Sequence, residues 1–127
     1  MALLDNGAIL IAQLLKGASV TPLNAANAHI AVGNGNTAFS ASQTDLVGAS
    51  KERRPMDSGY PSGSSNVLTF QSTYSTSQGN FEWVEWGIGN ALSGGTLVAR
   101  KVESPSLGTK DNTKTWTFQA ACTVSAT

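Results

Sequence analysis

The sequence holds few groups able to do chemistry, and their surroundings decide what each is for. His29 is the sole histidine and Cys122 the sole cysteine among 127 residues. General acid or base work by His29 would need a nucleophile and an orienting carboxylate beside it. Its neighbours Ala28 and Ile30 supply neither, so a structural or surface histidine is expected. A lone cysteine excludes an intrachain disulfide and a thiolate metal cluster. Placed in an alternating apolar segment, Cys122 is expected as a buried small hydrophobe. One histidine also excludes a three-histidine zinc site, and no acidic loop has the ligand alternation of a calcium site. No catalytic residue, metal or cofactor is predicted, and the chain is expected not to be an enzyme.

Three further constellations weigh toward structure. Gly33-Asn34-Gly35-Asn36-Thr37-Ala38 superficially fits a dinucleotide fingerprint, but that chemistry needs the glycines to open a long helix inside a βαβ unit. Only a short helical stretch is expected here, so the segment reads as a glycine turn. Glu82 and Glu85 project to opposite faces of a strand, which argues against a paired-carboxylate site. Glu85 is expected to form a structural ion pair with Arg100 or Arg54. Trp83, Trp86, Phe81, Tyr60 and Tyr74 would make a stacking platform for single-stranded nucleic acid only beside a basic groove. With eight Lys and Arg against eight Asp and Glu, no such groove is expected. A sugar-stacking surface on Trp83, Trp86 or Tyr60 is a more remote alternative. The default for the tryptophans is core packing.

The elements that must position these residues are mostly strands. Asp5 or Asn6 is expected to cap a short helix through Ala8, Ile11, Ala12, Leu14 and Leu15, ended by Gly17 in the left-handed region. Strands are predicted at His29 to Val32, Arg53 to Met56, Val67 to Tyr74, Phe81 to Ile88, Thr96 to Val102 and Thr115 to Ser125. Ser40 with Gln43 has the form of a capping box opening one or two helical turns that end near Leu46. The Gly59 to Asn66 stretch reads as a loop. Leu68, Phe70, Ser72 and Tyr74 share one face of their strand, while Trp83 opposes Val84 and Trp86 on theirs. Trp116, Phe118, Ala120, Cys122 and Val124 share a face of the last strand. The fold class predicted is mainly β: an antiparallel sandwich or small barrel of about six strands with a short N-terminal helix. Residues 1–20 form a helical arm and 21–127 a single β-sandwich domain whose core holds Trp83, Trp86, Trp116, Phe118 and Phe70.

The charged fraction, 13%, is about half the usual value, and the net charge is zero. Both argue against capture of nucleic acid or of an anionic membrane surface, and the absence of self-repulsion favours association. The apolar run from Ala8 to Leu15 is too short to span a bilayer. It is preceded by Asp5 rather than by Lys or Arg, unlike a signal peptide. The chain is expected to act where it is made or to be carried out inside a larger particle. The helix either closes the end of its own sandwich or inserts as an arm into a partner.

Several local patterns occur in order: Asn27-Ala28-His29-Ile30-Ala31-Val32-Gly33-Asn34-Gly35, Phe39 to Leu46, Arg53-Arg54-Pro55-Met56, Asn66 to Phe70, Phe81-Glu82-Trp83-Val84-Glu85-Trp86-Gly87 and Gly94 to Val102. Together they resemble a family of small tailed-bacteriophage structural proteins, found as stand-alone chains and, more distantly, as attachment domains of tail fibres. The resemblance spans Asn27 to Val102 and implies a virion component made in the host cytoplasm. A fibre attachment domain would be followed by a long repetitive shaft. A chain ending at Thr127 fits better a capsid decoration or cement protein, with a tail, neck or baseplate component as the alternative. The implied partners are the major capsid protein or other virion proteins and further copies of the chain, a trimer being favoured. Contacts are expected at Leu10, Ile11, Leu14 and Leu15 of the arm and at the loop around Tyr60 and Pro61.

Overall fold

The computed structural model describes residues 2–126, so the expected outer domain limits, Met1 and Thr127, lie outside the described residues. The strands, in chain order, are β1 (Ala2–Leu3), β2 (His29–Gly33), β3 (Lys51–Pro55), β4 (Ser62–Ser64), β5 (Val67–Tyr74), β6 (Glu85–Gly89), β7 (Leu97–Val102) and β8 (Trp116–Thr123); the helix α1 spans Asp5–Leu15. They form two antiparallel sheets, β1-β7-β6-β2-β3 and β4-β5-β8, rather than a closed barrel. The six strands expected from periodicity are all present, and the short β1 and β4 add to them. β4 falls within the stretch read as a loop. A serine-rich segment carries no strand signal of its own, but a two-residue turn, with Ser65 at φ 58°, folds Ser64 back opposite Val67.

The core lies between the sheets. Ile30, Val32, Trp86 and Ile88 from the larger sheet pack with Phe70, Tyr74 and Ala120 from the smaller one, and Trp83 joins them. Trp83 stacks edge-on to Tyr74 at 4.8 Å and to Trp116 at 4.9 Å between ring centroids, while Trp86 lies 5.0 Å from Phe118. Strict alternation would have sent Trp83 and Trp86 to opposite faces, yet both enter this one core. The reason is that the strand begins only at Glu85. Before it, Trp83 exchanges backbone hydrogen bonds with the 107–108 segment, donating to the Gly108 carbonyl and accepting from Leu107, so the period is broken between the two rings. Each indole N–H is satisfied, Trp83 by the Gly79 carbonyl at 2.8 Å and Trp86 by Glu103 at 3.0 Å.

The larger sheet is covered on its other face as well. Every residue of β2 and of β6 is buried, which in an antiparallel sheet with one solvated face would not occur. The cover is the irregular segment from Asn34 to Ser50, which brings Leu46 against Ala31, Leu4 and Leu97. The expected helical turns after Ser40 are absent. Gln43 does reach back to the Ser40 N–H at 3.1 Å, as in a capping box, but its side-chain oxygen also receives Arg100. That long-range anchor fixes the segment in a turn.

The first residues are part of the sandwich. β1 pairs with β7, Ala2 opposite Arg100, and Leu4 is fully buried. Neither Asp5 nor Asn6 caps the helix. Its N-cap is Leu4, with no side-chain cap, and Asp5 instead lies in the first turn, where its charge suits the helix dipole. The C-terminal end follows expectation: Gly17 at φ 78° lets its own N–H reach the Leu14 carbonyl and that of Ala18 reach Gln13, the paired bonds of a left-handed helix stop. Gly7 sets how closely α1 docks, because a β-carbon there would fall 2.7 Å from the Val98 Cα. Gly7→Ala should therefore destabilise the protein by about 1–3 kcal/mol through overpacking, despite the better helix propensity of alanine. A urea titration reading the midpoint checks this; an unchanged or raised midpoint would show that the helix does not dock so tightly.

Candidate interaction surface

Of the polar groups singled out from sequence, Glu85, Arg100 and His29 are consumed inside the fold, whereas Glu82 is exposed and accepts a hydrogen bond from Ser106 at 2.8 Å. Glu85 and Arg100 lie on adjacent strands, facing the Asn34–Ser50 cover, and pair at 2.8 Å with both side chains fully buried. Of the two arginines considered, Arg54 instead points its Nε to the Thr73 carbonyl at 3.4 Å. The Glu85 carboxylate also accepts the backbone N–H groups of Gly35 at 3.0 Å, Val47 at 3.0 Å and Gly48 at 2.7 Å. Arg100 donates further to Gln43 at 3.0 Å and to the Thr37 carbonyl at 2.9 Å. The pair is thus an anchor for the covering segment. With both side chains fully buried and no opening to solvent, it offers no site for a substrate.

His29 is 1% exposed, and neither ring nitrogen has a hydrogen-bond partner. Burial lowers its pKa to about 4; Arg53 adds to the effect, while Asp45 and the Ala91 backbone oppose it. The imidazole is thus enclosed and neutral. Cys122 is half-buried at the border of the main core rather than fully inside it, and burial raises its thiol pKa. A buried cation missed at the sequence level is Lys110, which donates to the Ser75 carbonyl at 2.6 Å and to Asn80 at 2.8 Å. Nothing in its sequence neighbourhood distinguishes it from a surface lysine.

Two shallow grooves mark the outer surface. One, of about 330 Å³, is lined by Asp45, Lys51, Glu52, Arg53 and Leu92 with Ala31 and Leu46 at its floor. Asp45 is already paired with Lys51 at 3.0 Å and approached by Arg53 at 3.4 Å. Burial acts to raise its pKa, but the hydrogen bonds from Lys51 and Leu46 and the two positive charges outweigh it and hold the carboxyl below its ordinary value. The other groove, about 490 Å³, runs between α1 and the segment that returns beneath it, with Ile9, Leu10 and Val20 in its wall.

Among the contact residues expected from sequence, Leu10 must be withdrawn. It is 6% exposed and packs against Val98 and Ala99, because one side of α1 faces β7. Leu14 is half-buried in the same cluster. Ile11 is at the margin of exposure, and Leu15 is open at 85%. Ile9, not singled out before, is 57% exposed. Tyr60 and Pro61 are half-buried, with the Tyr60 hydroxyl accepting from Gln119 at 3.5 Å. The buried rings of Trp83 and Trp86, 2% and 8% exposed, present no face on which a sugar could stack. Among the described residues no cluster of three metal-ligating side chains occurs, and no helix is long and apolar enough to cross a membrane. No protein-family model, curated protein or solved structure matches the chain.

Proposed function

We propose that the chain is a non-enzymatic structural subunit of a tailed-bacteriophage virion, a decoration or cement protein that binds the assembled capsid surface as an oligomer and stabilises it. The observation that carries this reading is the outer side of α1. Ile9 and Leu15 are left in solvent, with Ile11 at the margin of exposure, on a sandwich whose own core is already filled by other residues. Exposed apolar side chains on an otherwise neutral surface favour burial against another protein. The ordered motifs between Asn27 and Val102 support a virion setting for that protein, with the major capsid protein as the first candidate. Tyr60 and Pro61 extend the contact set on the opposite sheet.

A subunit that binds only the assembled lattice stabilises it by mass action, as any ligand of one state does. The test adds the purified chain to expanded capsids that lack it. Binding at hundreds of copies with a raised capsid melting temperature is expected, together with loss of binding in Leu15→Asp/Ile11→Asp at unchanged fold. Failure to bind, or binding without thermal gain, overturns the shell-stabilising role. Six or twelve copies per particle would assign the chain to the tail, neck or baseplate.

A further inference from the structure

We infer that the free edge of β8 is a self-pairing site, through which two copies of the chain join antiparallel and fuse their three-stranded sheets into one continuous sheet. Three of the four sheet edges are protected by the usual devices. β3 carries Lys51, Glu52, Arg53 and Arg54 and ends in Pro55, while β1 is two residues long and β4 three. β8 has none of these. It runs for eight residues, Trp-Thr-Phe-Gln-Ala-Ala-Cys-Thr, without a charge, a proline or a glycine. It pairs with β5 on one side, and among the described residues no backbone hydrogen bond reaches its other side.

The register follows from the ladder. Val124 donates its N–H to Asn66, the next pair beyond Val67 opposite Thr123. Antiparallel pairs alternate, so the even-numbered residues from Trp116 to Cys122 direct their backbone groups to β5. Thr117, Gln119, Ala121 and Thr123 therefore direct theirs outward. A two-fold axis through Ala120 sets Thr117 opposite Thr123 and Gln119 opposite Ala121 of the second copy, which satisfies all of these groups in about eight new hydrogen bonds. On the core side the same register sets Trp116 against Val124 of the second copy, giving a neighbour to a valine that is otherwise 72% exposed. Aromatic and β-branched partners are favourable across strands. A second copy is the occupant because this symmetric register leaves no outward group unpaired and brings no like charges together, and a chain of zero net charge does not repel its twin.

Sedimentation of the full chain across a concentration series should show a shift from one to two chain masses. Ala121→Pro removes an outward N–H that β5 does not use, and Ala121→Lys places charge on the edge; both should remain folded and stay monomeric. In a Cys122→Ser background, Ala120→Cys should form an interchain disulfide on mild oxidation, since facing Cα atoms at such a pair lie about 4.5 Å apart, whereas Ala121→Cys should not. Should Ala121→Pro unfold, the lysine and cysteine variants decide. A wild-type monomer at every concentration, a trimer, a dimer indifferent to Ala121→Lys, or equal cross-linking from positions 120 and 121 would each overturn the proposal. None of these readings depends on capsid binding.

Discussion

Replacing Arg100 with methionine is expected to lower the unfolding free energy by about 3–5 kcal/mol, a large part of what a domain of this size has. Among the described residues the guanidinium is the only charge paired with Glu85, and both groups are fully buried. Removing it leaves a carboxylate in a low-dielectric site, with the Thr37 carbonyl losing its side-chain donor and Gln43 one of its two. Arg100→Lys should recover little, because an ammonium cannot reach the Glu85, Gln43 and Thr37 acceptors that the planar fork spans together. Glu85→Leu should cost a similar amount for a different reason: the N–H groups of Gly35, Val47 and Gly48 lose their acceptor, and a buried polar group without a partner is expensive.

The double variant Glu85→Leu/Arg100→Met separates pair from context. Its loss should be well below the sum of the single losses, since neither charge is then left unpaired. Urea denaturation gives the three free energies, and hydrogen exchange adds a local readout. Amides of Gly35, Val47 and Gly48 should lose protection in every variant lacking Glu85, while those of β5 keep theirs. Single losses below about 1 kcal/mol, the range of an exposed pair, would mean that the site is open to water.

The strands were legible because their period is local. Val67–Tyr74 alternates without interruption, and the fold keeps those limits. The ion pair was legible only as a choice between Arg100 and Arg54, because strand register depends on the bulge near Ile88 and Gly89, which no alternation reveals. What the sequence concealed was the second cover. The segment from Asn34 to Ser50 has no period, so nothing in it shows that it buries the outer face of β2 and β6. That face was nevertheless marked by its small residues Ala31, Gly33, Gly87 and Gly89: a β-carbon on Gly33 would lie 2.6 Å from the Glu85 carboxylate, and one on Gly87 or Gly89 would meet Ala99 or His29. Leu10 was misplaced for a related reason. An apolar helix says how much it must bury but not against what, and here β7 took one side and left Ile9 and Leu15 out.

Acidification should weaken the fold through His29 before most carboxylates titrate. The imidazole is buried without a hydrogen-bond partner, and its pKa is lowered from 6.5 to about 4, mainly by burial and then by Arg53. Above pH 6.5 the group is neutral in both folded and unfolded chains and contributes no pH dependence. As the pH falls from 6.5 toward 4 the unfolded chain takes up a proton that the folded one refuses, so unfolding is favoured. At about 1.4 kcal/mol for each tenfold difference in proton affinity, the loss amounts to roughly 3 kcal/mol by the lower limit. Below about 4 both states carry the proton and this contribution levels off. Asp45 and Glu103, whose pKa values are lowered, add losses of their own at more acid pH, so the informative quantity is the difference between wild type and His29→Leu. That difference should change steeply between pH 6.5 and 4 and be flat above it, whatever fixed cost the leucine brings. The imidazole proton resonance, followed by NMR, should titrate near pH 4. A midpoint at or above the ordinary value, or parallel stability curves for the two proteins, would mean that water or a partner reaches the ring.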